Sequence, residues 1–179
     1  MATRVPIGRA TPRPAVRRTA RGHRCRGYGW PGAATGANWR RMDDHRRHTL
    51  AINDATYAAW NAHDPDAVAA VFAEDAVVRE VGTGQEARGR AAVRARAVAL
   101  LAAFPDLTLE RVELVIDGDR HADRWVLSGT HQGELFGIPP TGRRVRIDGA
   151  TFTRLGPDGL VIEDVHFSDT LGLMAQLNG

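Results

Sequence analysis

The sequence predicts an α+β fold in which helices come first and a sheet of consecutive strands follows. Apolar residues recur with a period near 3.6 up to Phe104, and after Pro105 the period changes to 2. Turn sequences rich in Gly and Pro, DGD, GIPPTG and GPDG, separate four alternating runs in this second half. This order is typical of helices packed on one face of a curved antiparallel sheet.

Residues 1–41 differ in composition from the rest of the chain. They hold ten arginines and no acidic residue, whereas residues 42–179 hold 14 arginines against 21 acidic residues, a net charge of −7. Arg, Gly and Pro dominate the first segment without any helix or strand period, so we expect it to be disordered and residues 42–179 to form the folded domain. Three interpretations of the segment stay open: an extension upstream of a true start at Met42, a targeting peptide, or an RNA-binding arm.

Composition limits the partners of the folded domain. Its acidic balance makes nucleic acid an unfavourable partner, although the whole chain carries +3. The single cysteine, Cys25, provides neither an internal disulfide nor a Cys-based zinc site. His45 and His48 lack a supporting carboxylate or thiol, so no metal site is predicted. The apolar run over residues 97–104 is less than half of the roughly 20 residues that a membrane-spanning helix needs, and we expect a soluble, cytoplasmic protein.

A long helix opens the domain. Asp43 or Asp44 is the candidate N-cap, and a broad apolar face at helical spacing predicts that the helix ends near Asn61. The sequence HDPD at residues 63–66 breaks this helix and caps the next one.

The remaining predicted elements follow in chain order. They are a short helix over residues 67–72, a strand over 76–81, a Gly-rich loop over 82–89, an amphipathic helix over 90–104, four strands over 107–116, 123–131, 143–155 and 160–169, and a helical turn or two over 171–177.

Several segments carry a family resemblance: WNAHD at 60–64, FAEDAVV at 72–78, AAFPDL at 102–107, ADRW at 122–125, GTHQGELFGIPPTGRRV at 129–145, GATFTRLGPDGLVIEDVHFSD at 149–169 and the ending LMAQLNG. Through them residues 50–178 resemble the SnoaL-like polyketide cyclase or ester cyclase family, part of the nuclear transport factor two-like superfamily. The resemblance implies a cone-shaped fold with the helices on the concave face of the sheet and a pocket between them. It also implies a small-molecule substrate, chemistry without metal or cofactor, and a homodimer formed through the outer sheet face.

His166 is the leading candidate for catalysis. The resemblance places it where family members commonly keep a catalytic acid, and an imidazole with an ordinary pKa of about 6.5 suits proton transfer near neutrality. Asp164 lies two residues away on the same strand face and would orient the imidazole ring or raise its pKa. The alternative is that Val165 and Phe167 form the core face, which would leave His166 and Asp164 in solvent.

The hairpin before the last strand supplies a third candidate. If residues 156–159 form a four-residue loop, Gly149 lies opposite His166 and Thr151 lies opposite Asp164 on one shared face. Thr151 also aligns with a position where the family has a second polar pocket residue. The glycine would leave open space over the imidazole.

Five further residues are predicted to contact substrate. Arg124 aligns with an arginine of the epoxide hydrolase branch, but Val126 replaces its partner aspartate, so epoxide hydrolysis is not predicted. Arg124 would instead bind a substrate carbonyl or pair with Glu80 across the pocket, with a rim or interface salt bridge as the alternative. Tyr57 and Trp60, on the first helix, either line the pocket or pack in the core.

The sequence therefore predicts a cofactor-independent enzyme that performs acid–base chemistry, an aldol-type cyclisation or an isomerisation, on a small apolar carbonyl or polyketide-like compound. His166 would transfer the proton, with Thr151 and Asp164 assisting. A small-molecule-binding or dimerisation domain of the same fold, without catalysis, is the alternative.

Overall fold

The computed structural model describes the backbone of residues 36–179 and the side chains of residues 42–179. This part of the chain forms four helices and six strands. They are α1 (Gly36–Asn61), α2 (Pro65–Ala70), β1 (Phe72–Glu80), β2 (Gln85–Arg88), α3 (Arg90–Ala103), β3 (Thr108–Asp117), β4 (Arg120–Thr130), β5 (Arg144–Leu155), β6 (Val161–Ser168) and α4 (Thr170–Asn178).

The first helix begins earlier than the sequence predicts. α1 starts at Gly36, not at a cap on Asp43 or Asp44, and so crosses the predicted boundary between extension and domain. The rest of the predicted disordered segment, residues 1–35, lies outside the described residues. The helix ends at Asn61 as predicted, and the Asn61 side chain exchanges two hydrogen bonds, of 2.9 and 2.8 Å, with the backbone of Leu109 in β3.

The second helix is capped as the HDPD sequence predicts. The Asp64 carboxylate accepts hydrogen bonds of 3.0 Å from the backbone N–H groups of Asp66 and Ala67, which have no partner inside the helix.

The sheet has the strand order β2-β1-β6-β5-β4-β3. Strands β3 to β6 form the predicted antiparallel meander. β1 joins β6 in parallel, and β2 pairs with β1 inside the segment predicted as a Gly-rich loop. Local alternation predicts that a segment is a strand but does not identify a distant partner, so the parallel pairing was not foreseen.

The helices cover one face of this curved sheet, here called the inner face. Inward residues of β4 and β5, such as Trp125, Leu127 and Ile147, join the core together with Phe104 and Leu107 from the segment between α3 and β3. On the opposite, outer face the rings of Phe152 and Phe167 meet edge to face with centroids 5.9 Å apart, and they are 56% and 46% exposed. Within residues 36–179 no helix is long and apolar enough to cross a membrane.

Candidate active site

A cavity of about 810 Å³ lies between the inner face of the sheet and helices α1 and α3. This volume is typical of small-molecule sites. Much of its wall is apolar, including Trp60, Val68, Val93, Leu100, Leu107 and Leu173.

The floor of the cavity is polar, and its side chains form two rows across the strands. Strand register aligns two rows of side chains across β4, β5 and β6: Asp123, Thr151 and His166 in one row, and His121, Thr153 and Asp164 in the other. Each row places a threonine between a carboxyl group and an imidazole. Neighbouring strands are about 4.8 Å apart, so the backbones at the two ends of a row are roughly 10 Å apart.

The contacts of His166 determine which ring nitrogen carries the proton when the imidazole is neutral. The Trp125 indole can only donate, and it donates to Thr151 Oγ1 at 2.8 Å, which leaves the hydroxyl proton free for His166 Nδ1 at 3.0 Å. On the other side of the ring, His166 Nε2 lies 3.3 Å from Asp164 Oδ2, while Thr153 donates to Asp164 Oδ1 at 2.5 Å. An ionised carboxylate only accepts, so Nε2 carries the proton and Nδ1 keeps a lone pair when the imidazole is neutral.

Asp123 is the most perturbed carboxyl group of the floor. It is 6% exposed, and the Tyr57 hydroxyl donates to its Oδ2. Burial raises the pKa of Asp123 to about 6; the Tyr57 hydrogen bond opposes this, the nearby Asp164 carboxylate adds to it, and His166 and Arg111 oppose it. Burial, followed by the bond to Asp123, also raises the pKa of Tyr57, so the phenol stays protonated at neutral pH.

His121 is neutral and its tautomer is fixed. Arg111 donates to Asn53 Oδ1 at 2.6 Å, so the amide nitrogen of Asn53 faces His121 Nε2 at 3.1 Å and donates to it. The ring proton of His121 is therefore on Nδ1, a buried atom with no hydrogen-bond partner among residues 42–179. Burial also lowers the pKa of this imidazole.

Glu80 lies at the edge of the floor, opposite His166 in the parallel register. It accepts backbone N–H groups of Gly82 and Ser168 at 3.3 and 3.4 Å, and Arg96 of α3 approaches it to 3.6 Å. Burial lowers the pKa of Arg96, and the Glu80 carboxylate offsets part of that effect. In the described part of the chain no cluster of three His, Cys, Asp or Glu side chains is arranged to hold a metal ion.

Six of the eight predicted site residues line the cavity: His166, Thr151, Asp164, Tyr57, Trp60 and Glu80. The alternative that places His166 and Asp164 in solvent is wrong, because the outward alternating residues are Phe152 and Phe167.

The prediction for Arg124 and Val126 is wrong. Arg124 projects from the outer face, half-exposed, within 4.0 Å of Glu113 and 3.7 Å of Asp148, so the alternative of a salt bridge outside the pocket holds. Val126 is buried but does not line the cavity. Arg96, not Arg124, lies beside Glu80. The prediction failed because it assigned Arg124 to the inner face of β4, whereas the neighbouring residues Asp123 and Trp125 face the cavity.

The hairpin register also differs from the prediction. Leu155 pairs with Val161 and not with Leu160, which shifts the register by one residue, and an irregularity between Arg154 and Leu155 shifts it by one more, so Thr151 pairs with His166 and Gly149 with Ser168. A shift of two keeps every side chain on its face. The space at Gly149 is filled by the indole of Trp125, so the glycine leaves no opening over His166.

Five of the polar residues described above were missed from the sequence: Asn53, Arg96, His121, Asp123 and Thr153. A usable signal for two of them is the spacing His121-Ala122-Asp123 within a strand, which puts both polar side chains on one face. Asn53 and Arg96 lie on helices, and nothing local distinguishes them from solvent-facing polar residues.

Comparisons with known proteins agree with this architecture. The sequence model of the SnoaL-like polyketide cyclase family matches residues 51–177. The comparison with curated proteins finds no match.

Several solved structures are similar to this chain. IdmH of Streptomyces antibioticus, named as a candidate polyketide cyclase, is 31% identical with a TM-score of 0.63, covering 73% of this chain and 99% of its own. AclR of Streptomyces galilaeus, named as a candidate hydroxylase, is 30% identical with a TM-score of 0.66, covering 74% and 97%. A hypothetical protein of Catenulispora acidiphila with a ketosteroid isomerase-like fold is 20% identical with a TM-score of 0.62, covering 71% and 92%, and supports the fold alone.

Proposed function

Because this chain belongs to the SnoaL-like polyketide cyclase family, we propose that it is a cofactor-independent enzyme that performs acid–base chemistry on a small, largely apolar carbonyl compound of the polyketide type. The observation that carries the proposal is the strip of ionisable side chains on the floor of a cavity with apolar walls. Apolar walls favour the carbon skeleton, and ionisable groups in a site of low polarity are suited to proton transfer.

His166 is the proposed general base. Its Nδ1 lone pair accepts a hydrogen bond only from the Thr151 hydroxyl, which a substrate can displace, while Asp164 Oδ2 lies 3.3 Å from Nε2 on the far side of the ring. A carboxylate behind an imidazole orients it and stabilises the imidazolium that forms, as in catalytic triads.

The proposed reaction is an aldol-type ring closure or an isomerisation. His166 removes the proton next to a carbonyl, the C–H electron pair becomes the C=C bond of an enolate, and the carbonyl π pair moves onto oxygen. In the ring closure the enolate carbon then attacks a second carbonyl carbon. The C–C bond forms, the first carbonyl is restored, the π pair of the second carbonyl moves onto its oxygen, and this alkoxide takes the proton from the His166 imidazolium. In the isomerisation the substrate is a β,γ-unsaturated ketone, so the enolate is a dienolate, and the same proton returns from the imidazolium to its γ-carbon.

Binding without catalysis is the second candidate, and one observation favours it. Both ring nitrogens of His166 already have partners inside the protein. A domain that only binds its ligand would keep this network closed.

The test compares variants on the two faces of one sheet. With aromatic polyketide-like keto esters as substrates, His166→Ala should lower kcat by 10²- to 10⁴-fold, the usual contribution of a positioned acid or base. Glu110→Ala, exposed on the outer face of the edge strand β3, is the control and should keep full turnover. Ligand affinity unchanged in His166→Ala, with no turnover by the wild type, would establish binding alone.

We also propose that two copies associate through the outer face. Phe152 and Phe167 expose an aromatic pair there, and Arg124 lies on this face close to Glu113 and Asp148. Two copies related by a two-fold axis would bury the rings, and Arg124 of each copy would pair with an acidic residue of the other.

A further inference from the structure

The cavity floor contains a buried ionisable group, Asp123, that the family resemblance did not indicate. Asp123 lies in the same cross-strand row as His166, with Thr151 between them. Threonine is short, so a ligand that rested on Thr151 would be within reach of both ends of the row.

The two oxygens of Asp123 have different surroundings. Oδ2 accepts the Tyr57 hydroxyl. Oδ1 lies 3.6 Å from His121 Nε2, but that nitrogen already accepts a hydrogen bond from Asn53 and has no proton to give. No side chain of residues 42–179 therefore donates to Oδ1.

We propose that Asp123 is the second acid–base group of the site, with Tyr57 holding Oδ2 while Oδ1 exchanges a proton with a carbonyl or enol oxygen of the substrate. This rests on the proposed enolising function and adds to it the residue that handles the oxygen. This narrows the proposed substrates to ketones that can place the α-C–H at His166 and the carbonyl oxygen at Asp123.

The enolisation step balances between the two groups. His166 Nδ1 takes the α-proton, the C–H pair becomes the C=C bond, and the carbonyl π pair takes the proton of the Asp123 carboxyl group. The products are the enol, an imidazolium and a carboxylate. Reversing the oxygen transfer regenerates the carbonyl and the neutral acid.

The charges around Asp123 are compatible with both of its protonation states. The titratable or charged groups that face it are Tyr57 from α1, Arg111 from β3, His121 from β4, and Asp164 and His166 from β6. β5 contributes only the neutral threonine between the strands. Burial brings the pKa of Asp123 to about 6, where a carboxyl group both gives and takes a proton near neutrality.

The first arm of the test follows exchange of the α-protons of 2-tetralone in D₂O by ¹H NMR, in full-length protein. Asp123→Asn should slow the protein-catalysed exchange about 100-fold or more. The wild-type rate should fall as pH rises through about 6, and Asp123→Asn should lose this limb. Tyr57→Phe should move the limb to higher pH, because the lost hydrogen bond favoured the carboxylate. A purely structural role for Asp123 would not move the limb.

The variants separate this proposal from the proposed function. If His166→Gln abolishes exchange while Asp123→Asn keeps the wild-type rate and pH profile, the Asp123 proposal is overturned and the base assignment stands. If the reverse holds, the role of His166 falls and that of Asp123 stands.

The second arm decides the case in which the wild type does not accelerate exchange. The ¹³C resonance of the Asp123 carboxyl group, assigned by its loss in Asp123→Asn, is followed while 2-naphthol, an enol mimic, is added. A shift with 2-naphthol but not with naphthalene supports contact with the ligand oxygen. If the wild type does not accelerate exchange, the absence of a shift with 2-naphthol overturns the proposal.

Discussion

Replacing Asp123 by asparagine should raise the stability of the protein relative to wild type as pH rises, because it removes a buried ionisable group from the cavity. The asparagine has the same shape, and its oxygen still accepts the Tyr57 hydroxyl. Its amide nitrogen gains no acceptor, because His121 Nε2, 3.6 Å from the carboxylate in the wild type, already accepts a hydrogen bond from Asn53. That unpaired amide lowers stability by a similar amount at each pH, so the pH dependence reports the buried charge.

The magnitude follows from the pKa of Asp123. It is about 6 in the folded protein against 3.8 ordinarily, and one unit corresponds to about 1.36 kcal/mol. Between these values the native state binds a proton that the unfolded state has lost, so the free energy of unfolding falls as pH rises. Relative to a pH low enough to protonate Asp123 in both states, ionisation of this group should lower the free energy of unfolding of the wild type by about 1 kcal/mol at pH 4.5 and by about 3 kcal/mol at pH 7.5.

Urea denaturation at the two pH values measures this difference. The stability of Asp123→Asn relative to wild type should rise by about 2 kcal/mol between pH 4.5 and pH 7.5. Asp117→Asn, at an exposed position of β3, controls for the general loss of one negative charge. A relative stability of Asp123→Asn that is flat between the two pH values, or that falls toward pH 7.5, would refute the account of Asp123 as a carboxyl group destabilised by burial.

Two further predictions concern packing and assembly. Gly149→Ala should lower stability by about 1–3 kcal/mol in thermal denaturation, because the added Cβ overlaps the Trp125 indole; Trp125→Phe in the same chain should recover part of the loss, and a harmless Gly149→Ala would contradict the packing argument. The double variant Phe152→Ser, Phe167→Ser should convert a dimer to a monomer in light scattering after size-exclusion chromatography, and a wild type that is monomeric at 100 µM would rule out association through this face.

The elements that follow a local period were predictable. The apolar stripe of α3 and the alternation of β3 to β6 depend on neighbours a few residues apart, and the structure reproduces them within a few residues. The start of α1 was not predictable in the same way, because the residues after Gly36 lack the apolar period on which the boundary was based.

Only part of the candidate site could be predicted from the sequence. His166, Thr151 and Asp164 were singled out through the family resemblance, and all three line the cavity. Asp123 was passed over because its significance depends on Tyr57, a partner 66 residues away on another element. A strand carrying His121 and Asp123 on one face signals polarity, but their protonation depends on what surrounds them.

The sequence by itself determined the helix-then-strand order, the meander of the last four strands and the family. Only the tertiary structure decided which face of each strand is inside. Alternation divides a strand into two faces without ranking them, and here the aromatic face of Phe152 and Phe167 is outside while the polar face of Thr151 and His166 is covered. The ranking depends on which face distant helices cover, and on hydrogen bonds that satisfy polar groups inside the cavity, neither of which is encoded in local spacing.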